Sequence, residues 1–352
     1  MLAVAGRDAD VIVVGAGGTG SAAAWQLAAG GARVVVLEAG RPGCGASGTL
    51  AFRVADGELA GNRAALRSLP LWREAEQETG VPVLTLTGAV AHGRSAELDV
   101  LAWTADAVGK PGRWVPPEEA VERWPGLRCE DRIFFHPLAG RLDASAALRA
   151  LRGAAAQSGC IIRYGEPVTE VRPRQSDLVE VRTGQGCYRA RRVVVAAGVR
   201  SAALVPGLPP LRPMWTRSVR FAPVRPDLEW PVFQHYLDPP ALAAHGYASG
   251  VRGAGTEVDF AEPAAAEVDC RADAPRTRAL ARYVEEWLPG ADPASVTLSA
   301  PRCEFVSDAV LDRRGPVVVA CGLAGRGLPV LPVVGRVLAA LVTTGEPHPA
   351  AP

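Results

Sequence analysis

Short runs of apolar residues recur along the chain, each bounded by glycine or charged residues. The first runs from Asp10 to Gly15, the second covers Arg33–Leu37, and later runs cover Arg192–Gly198 and Gly315–Gly322. Continuous apolar runs of this length are typical of strands buried on both faces, as in parallel sheets. Between the first two runs, residues 21–29 are small or apolar and predict a helix, so the chain opens on a strand–helix–strand unit.

The middle of the chain carries longer patterns with apolar residues at helical spacing. They predict a helix containing Leu66–Glu74 and further helices at Glu97–Val108, Pro117–Trp124 and Ala144–Gln157. Thr85–Val90 looks like a strand. The chain therefore mixes helices and strands, with a change of glycine spacing between about residues 81 and 140 that indicates a second domain.

The first strand ends in a glycine turn with the pattern G-x-G-x-x-G. Gly15 permits the tight turn, Gly17 lets the backbone approach a pyrophosphate, and Gly20 lets the helix pack closely on the strand. Gly18 and Thr19 complete the turn, whose helix N-terminus suits phosphate groups. The second strand ends in Glu38, an acid placed to accept hydrogen bonds from ribose hydroxyls. Together these features favour a dinucleotide site over a merely structural turn.

Composition and charge exclude several classes of function. The net charge of +1 argues against a nucleic-acid surface, and no run of 18 apolar residues predicts a membrane span. The first ten residues are too short for a signal peptide, so we expect a cytoplasmic protein. We also expect it to be a monomer or a weak dimer. Seven cysteines without C-x-x-C or metal-like spacing indicate reduced thiols and no metal site. Lys110 is the only lysine in the sequence.

A glycine-rich loop, Gly40–Thr49, follows Glu38 and is too long for a simple strand–helix link. From this point the sequence resembles the sarcosine oxidase and D-amino-acid oxidase group of FAD enzymes. In that group a strand–turn–helix, an acid on the ribose and a small-residue loop near the flavin occur in this order. The resemblance, which is closest to monomeric sarcosine oxidase, implies an FAD cofactor and a Rossmann-like fold of the α/β (α+β) class.

The resemblance continues into three later segments. The backbone at Val168 matches a position that touches the adenine, although an ordinary buried valine is an equal alternative. Beyond Gly15–Gly20 and Glu38, the implied FAD contacts are Ala39, Arg41, Ala46, Ser47, Gly48, Thr49, Val168, Ala197, Gly198, Gly322, Gly325, Arg326, Gly327 and Leu328. The last five belong to a second strand–glycine–helix segment, which would direct helix amides at the N1–C2=O edge of the flavin.

The same resemblance divides the chain into two domains. Residues 1–80, 141–212 and 301–352 would form the FAD-binding domain. Residues 81–140 and 213–300 would form a discontinuous, sheet-based substrate domain that receives a small-molecule amine or amino acid.

Cys303 is a candidate for covalent attachment of the cofactor. In monomeric sarcosine oxidase relatives, a cysteine at this place, two residues before an aromatic such as Phe305, is joined to the flavin by a thioether. A buried free thiol is the alternative reading.

Arg53 matches the family arginine that pairs with a substrate carboxylate, a role suited to the planar guanidinium group. A structural or surface arginine is the alternative. Three positions depart from the family pattern: Leu50 replaces a second arginine, Arg326 replaces a histidine, and Pro329 replaces a lysine.

A further departure concerns reactivity with oxygen. Family members carry a lysine on a substrate-domain strand that promotes reaction of the reduced flavin with oxygen, and Glu257 falls at that position here. The sequence has no lysine after Lys110, so this family lysine is absent whichever alignment is chosen. We therefore expect slow reoxidation in air, unless Arg326 or another arginine supplies the positive charge.

The resemblance implies an FAD-dependent oxidase or dehydrogenase that transfers hydride from a carbon next to nitrogen to flavin N5. Its substrate would be an amine, N-methyl amino acid or cyclic amino acid in a specialised, secondary-metabolite pathway. Two rivals remain at this point: an NAD-dependent dehydrogenase, which leaves the second glycine segment without a purpose, and a flavin-binding protein that has lost catalysis or has no oxidase activity.

Overall fold

The computed structural model describes residues 7–43, 48–94, 96–209, 213–216, 219–225, 227–236, 244–248, 256–260, 274–298, 302–305, 310–323 and 327–346. The helices in these ranges are α1 Gly18–Ala29, α2 Leu59–Thr79, α3 Glu97–Ala107, α4 Pro117–Arg123, α5 Ala144–Gln157, α6 Ser201–Leu204, α7 Ala274–Trp287 and α8 Gly327–Thr343. The strands are β1 Ala9–Val14, β2 Val34–Glu38, β3 Thr49–Arg53, β4 Leu84–Leu86, β5 Ala89–Gly93, β6 Arg113–Trp114, β7 Arg132–His136, β8 Ala139–Asp143, β9 Ile161–Tyr164, β10 Val168–Gln175, β11 Leu178–Thr183, β12 Gly186–Val195, β13 Pro213–Thr216, β14 Val219–Phe221, β15 Val232–Tyr236, β16 Ala244–Ala248, β17 Thr256–Phe260, β18 Thr297–Leu298, β19 Arg302–Phe305, β20 Val310–Arg314 and β21 Val317–Cys321.

The first sheet is built from the apolar runs seen in the sequence. Strands β9, β2, β1, β12 and β21 pair in parallel in that order, while β10 and β11 form an antiparallel meander into β12. Valines of β1, β2 and β12 are buried, as continuous apolar strands require when both faces of a sheet are covered. The predicted α/β class with a Rossmann-like parallel sheet is confirmed. All five parallel strands end at one edge, where the glycine turns lie.

Helices α1, α2, α5 and α8 form one hydrophobic core with a face of this sheet. Its largest fully buried side chains are Trp25 and Trp72, each at most 1% exposed. A Cβ atom on Gly335 would lie 2.5 Å from the carbonyl oxygen of Ala22, so only glycine permits α8 to lie this close to α1. The indole of Trp72 donates a hydrogen bond of 2.8 Å to the carbonyl of Pro329 and joins α2 to the first turn of α8.

The second sheet has the order β18-β14-β17-β16-β15-β5-β7-β6, with antiparallel neighbours except for the parallel pair β15 and β5. Phe221 and Phe233 of this sheet pack against Leu280 and Val284 of α7 in a second core. All strands of the sheet come from residues 89–136 and 219–298. The two large sheets therefore draw on different segments of the chain.

A buried polar cluster joins the second sheet to α7. His92 of β5 and His235 of β15 are 0% exposed, and their rings stack with centroids 4.0 Å apart. The ring nitrogens of His235 lie 3.1 Å from the Tyr283 hydroxyl and 3.0 Å from a carboxylate oxygen of Glu130. Burial lowers the pKa of both imidazoles, and strongly lowers the pKa of His92. Both imidazoles are therefore held in their neutral form near pH 7.

The predicted strand Thr85–Val90 is wrong in its extent, because it is two strands in two sheets. Strand β4 pairs with β8 in a three-stranded sheet that also contains β3, whereas β5 belongs to the second large sheet. The chain turns at Gly88, whose positive φ of 78° is readily adopted by glycine and rarely by other residues. A Cβ atom there would also lie 2.4 Å from the ring of Phe135, so the break depends on a packed residue distant in sequence.

Helix boundaries follow the sequence more closely. Helix α5 begins and ends at the predicted residues. Its start is fixed by Asp143, which accepts a 2.6 Å hydrogen bond from the amide of Ala146 and so caps the N-terminus. Within the described ranges, no helix combines the length and apolar character needed to cross a bilayer. Those same ranges hold no group of three or more His, Cys, Asp or Glu side chains arranged for a metal ion.

Candidate active site

The glycine turn after β1 is held by contacts that only glycine permits. Gly15 has a φ of 99°, and its amide donates a 2.8 Å hydrogen bond to the carbonyl of Leu37 at the end of β2. A Cβ atom on Gly15 would lie 2.6 Å from the carbonyl oxygen of Ala196, which follows β12. On Gly20 it would lie 1.9 Å from the carbonyl oxygen of Gly15. These glycines bring three strand ends and α1 together.

Gly17 differs from its neighbours because a Cβ atom there would meet nothing within 4 Å. It is the N-cap of α1, and no side chain caps the helix or places an acid in its first turn. Its φ of −65° is accessible to any residue, so the turn geometry does not explain the missing side chain. Open space beside an uncapped helix N-terminus is what a bound phosphate requires.

Glu38 holds the turn from the end of β2. One carboxylate oxygen accepts a 2.5 Å hydrogen bond from the amide of Ala16, and the other accepts a 2.6 Å bond from the amide of Gly40. The sequence predicted ribose as its partner; the structure adds a role in fixing the backbone. Each carboxylate oxygen has a second lone pair, so ribose binding stays a compatible prediction.

The next predicted FAD contacts lie in several parts of the chain. Ala39 and Arg41 are exposed residues of the loop after β2. Gly48 directly precedes β3 and Thr49 begins it, and the carbonyl of Gly48 accepts a 3.0 Å hydrogen bond from the amide of Ala144. Val168 is 7% exposed in a core with Val179 and Val181, which agrees with its reading as a buried valine. Ala197 and Gly198 follow β12 beside the Gly15 turn, whereas Ala46 and Ser47 lie outside the described residues.

The second glycine segment packs directly on the first. Gly322 leaves β21 with a φ of 76°, and Gly327 begins α8. A Cβ atom on Gly18 would lie 2.3 Å from Leu331 of α8, so Gly18 gives that helix its place against the turn. Leu328 lies in the first turn of α8. Gly325 and Arg326 lie between them in sequence and are outside the described residues.

Arg53 lies at the end of β3 and is paired with a carboxylate of the chain itself. Its Nη2 is 2.9 Å and its Nε is 3.2 Å from Oδ1 of Asp56, and its side chain is 19% exposed. The amide of Asp56 donates a 2.9 Å hydrogen bond to Asn62, a fully buried residue of α2. The loop between β3 and α2 therefore presents a carboxylate to Arg53 in a fixed position.

Tyr236, at the end of β15, shares the surroundings of this ion pair. Burial raises the pKa of its hydroxyl to about 12; the charge of Glu97 acts in the same direction, and Arg53 opposes it. The tyrosine therefore stays neutral over the physiological range and can donate a hydrogen bond. Sequence reasoning missed Tyr236 and Asp56, although the spacing Arg53-Val-Ala-Asp56 was a usable signal for the ion pair.

Two further predicted residues are placed by their backbone only. Glu257 of β17 lies opposite Arg220 of β14 and Tyr247 of β16. Cys303 of β19 lies opposite Trp215 of β13. The side chains of Glu257 and Cys303 lie outside the described part of the chain, so their predicted roles stay predictions.

Comparison with known proteins decides the family. A family described as DAO, FAD dependent oxidoreductase, matches residues 10–341. This chain belongs to it. The protein is therefore an FAD-dependent oxidoreductase, and the predicted resemblance is confirmed, while the NAD-dependent alternative is set aside. The glycine turn, the open space at Gly17 and the position of Glu38 all fit an FAD molecule bound along the edge of the first sheet.

Two relatives named as monomeric sarcosine oxidase cover nearly the whole chain, and a third relative covers 57% of it. Monomeric sarcosine oxidase from Streptomyces avermitilis is 30% identical over 375 aligned residues, covering 97% of this chain and 95% of the relative. Monomeric sarcosine oxidase from Bacillus sp. strain NS-129 is 28% identical and covers 96% and 93%. N-methyl-L-tryptophan oxidase from Yersinia pestis is 30% identical over 213 residues, 57% of each chain.

Among solved structures, NikD is 27% identical to this chain. It is described as an unusual amino acid oxidase essential for nikkomycin biosynthesis, has a TM-score of 0.76, and covers 97% of this chain and 95% of its own. L-proline dehydrogenase from P. horikoshii has a TM-score of 0.81 at 20% identity, which shows a shared fold. The chain thus lies among FAD-dependent oxidases of amino acids and N-methyl amino acids.

Proposed function

We propose that this protein oxidises the carbon–nitrogen bond of an N-methyl or cyclic amino acid, or of a related amine. The observation that carries the proposal is the meeting of two strand–glycine–helix segments, β1–α1 and β21–α8, with Glu38 at one edge of a parallel sheet. A nicotinamide enzyme needs only the first segment. Relatives named for sarcosine and for N-methyl-L-tryptophan support the substrate class.

Each part of this edge has a proposed task. The N-terminal amides of α1 bind the pyrophosphate, Glu38 accepts from the ribose, and the N-terminal amides of α8 face the flavin ring. When bound, FAD supplies the electron sink that takes the hydride from the carbon next to nitrogen. Cys303 is proposed to attach the cofactor through a thioether, in line with the family position that it occupies.

The substrate side is proposed to lie between the first sheet and the residues 81–140 and 213–300, which we propose as the substrate domain. Arg53 would bind a substrate carboxylate by exchanging its internal partner Asp56, at 2.9 Å, for the ligand. Tyr236, neutral and half-buried, would donate a hydrogen bond in the same place. These side chains orient the ligand and exclude water, while the reaction itself depends on the cofactor.

The substrate is proposed to differ from sarcosine. Pro329 occupies the position of a family lysine, its side chain is buried, and its carbonyl accepts from Trp72, so no cation is available there as a second carboxylate partner. Leu50 likewise replaces an arginine. A single arginine with an apolar neighbour suits a larger or cyclic amino acid. The likeness to NikD supports a place in a secondary-metabolite pathway.

The test is anaerobic reduction of the purified yellow protein. Sarcosine, N-methyl-L-tryptophan and L-proline are mixed with it separately, and loss of absorbance near the flavin maximum is followed; an alcohol serves as control. We expect the cyclic or the larger N-methyl amino acid to bleach the flavin faster than sarcosine. Protein that purifies without FAD would overturn the proposal.

A second candidate function is flavin binding without oxidase activity. One observation favours it: Lys110 is the only lysine in the chain, so the lysine that promotes reaction with oxygen in family members is missing. Bound FAD that no amine or amino acid reduces would support it. Reoxidation distinguishes the remaining cases: we expect reduced protein to react slowly with aerated buffer and rapidly with an artificial acceptor. Fast reoxidation that is lost in Arg326→Leu would show that an arginine supplies the charge, and fast reoxidation in both proteins would defeat the dehydrogenase reading.

A further inference from the structure

The carbonyl oxygen of Ala16, inside the glycine turn, receives an arginine from a distant helix. Arg152 of α5 lies 136 positions further along the chain; its Nε is 3.0 Å from this oxygen, and its Nη2 donates to the same atom. The hydroxyl of Ser21 donates a third hydrogen bond of 2.9 Å. Two donors from one guanidinium therefore fix a carbonyl at the centre of the turn.

Both backbone polar groups of Ala16 are thus held by side chains. Its amide donates to Glu38 at 2.5 Å, and its carbonyl accepts from Arg152 and Ser21. Ala16 itself is 1% exposed, so an unpaired carbonyl here would carry the full cost of desolvation. The Ala16 carbonyl and the Gly17 amide belong to one planar peptide unit, so the orientation of this carbonyl decides where the amide of the N-cap residue of α1 points.

The charge of Arg152 matters as well as its geometry. A carbonyl oxygen carries partial negative charge, which would repel a phosphate placed beside the turn. The guanidinium offsets that charge and adds a positive charge on the protein side of the turn. The residue is half-buried and close to the ring of Tyr164, with its guanidinium carbon 6.0 Å from the ring centroid, which restricts where the charge can move.

We infer that Arg152 is a positioning residue of the FAD site: it orients the Gly15–Gly17 turn and provides positive charge for the pyrophosphate. The inference rests on the proposed FAD site at this turn. Arg152 lies on a different helix from the glycine pattern. It acts, through the turn, on the diphosphate part of the ligand and not on the adenosine or the flavin ring.

The experiment measures binding of ligands that differ in their phosphates. All proteins carry Cys303→Ala, so that flavin can be removed and replaced, and the flavin-free forms are titrated with FAD, ADP and adenosine by calorimetry. Arg152→Met removes both the paired N–H donors and the positive charge. Arg152→Gln keeps an N–H donor without the charge, and Arg152→Lys keeps the charge without the paired donors. Arg149→Met, on an exposed residue of the same helix, is the matched control.

We expect Arg152→Met to weaken FAD and ADP binding by about 10- to 100-fold, the range for loss of hydrogen bonds from a charged group. Adenosine binding should stay within about twofold, and the salt dependence of ADP binding should become shallower. Arg152→Lys should recover part of the loss, Arg152→Gln should weaken ADP binding even if Arg152→Met fails to fold, and Arg149→Met should match the parent.

Equal FAD and ADP affinities in parent and Arg152 variants would overturn the inference, whatever happens to the free energy of unfolding, because a helix-packing arginine would affect stability alone. Equal weakening of ADP and adenosine would also overturn it. A parent protein that binds neither FAD nor ADP would instead overturn the FAD site itself, so failure of the inference and failure of the proposed cofactor site give different results.

Discussion

Replacing Gly17 by aspartate should separate the stability of the fold from the binding of FAD. Gly17 is the N-cap of α1, its backbone φ of −65° and ψ of −176° suit any residue, and no atom lies within 4 Å of where a Cβ would stand. Aspartate is among the preferred N-cap residues, since its carboxylate accepts from the first free amides of the helix. Gly17→Asp therefore has no steric reason to destabilise the protein without its cofactor.

The expected magnitudes have opposite signs in the two states. In the flavin-free protein, the new cap and its interaction with the helix N-terminus should raise the free energy of unfolding by about 0.5–1 kcal/mol. In the FAD complex, the carboxylate takes the amides that the pyrophosphate needs. Two like unit charges about 4 Å apart repel by about 4 kcal/mol at an effective dielectric of about 20, which is about a thousandfold in affinity.

The assay is flavin content of the purified protein together with urea unfolding of the flavin-free form. Gly17→Asn is the control, because it caps the helix with similar size and no charge, and we expect it to lose less FAD affinity than Gly17→Asp. Normal flavin content in Gly17→Asp would refute the assignment of this turn as the pyrophosphate site. A large fall in the stability of the flavin-free form would refute the reading of open space at Gly17.

Three further predictions concern other parts of the molecule. Acid precipitation should leave the yellow colour in the pellet of the wild type and release it in Cys303→Ala; colour already released from the wild type would show that the cysteine only packs. Asp56→Asn should bind propionate about fivefold more tightly, because loss of an ion pair worth about 1 kcal/mol frees Arg53. Binding of the uncharged propionamide should not change. Equal propionate affinity in variant and wild type would contradict the exchange of partners at Arg53. Burial lowers the pKa of His92 and His235 in the folded protein, so on acidification these histidines bind protons in the unfolded chain, near pH 6.5, before they do so in the folded one. Below that pH the free energy of unfolding should therefore fall by up to about 1.4 kcal/mol per pH unit for each histidine. Urea unfolding at pH 7.5 and 5.5 measures this loss, and an equal loss in His92→Phe would contradict it.

Some errors of the sequence reading have a clear physical origin. The sequence predicts one strand over Thr85–Val90, yet the chain changes sheets at Gly88, where a side chain would collide with Phe135. Local periodicity describes which residues avoid water, and it carries no information on which partner strand offers its edge. The ion pair between Arg53 and Asp56 was within reach of the sequence, because Asp56 follows Arg53 by only three positions, in the short loop after β3.

The sequence by itself determined the elements whose interactions are local. The glycine turn after β1, the acid at the end of β2 and the helix capped by Asp143 depend on residues a few positions apart, so composition and spacing specify them. Only the tertiary structure decided which distant groups complete the site. Arg152 reaches the Ala16 carbonyl, Gly18 admits α8, and Tyr236 shares the surroundings of Arg53 because strand order and helix packing bring these residues together. Such contacts depend on the summed packing of the whole core, which no local stretch of sequence contains.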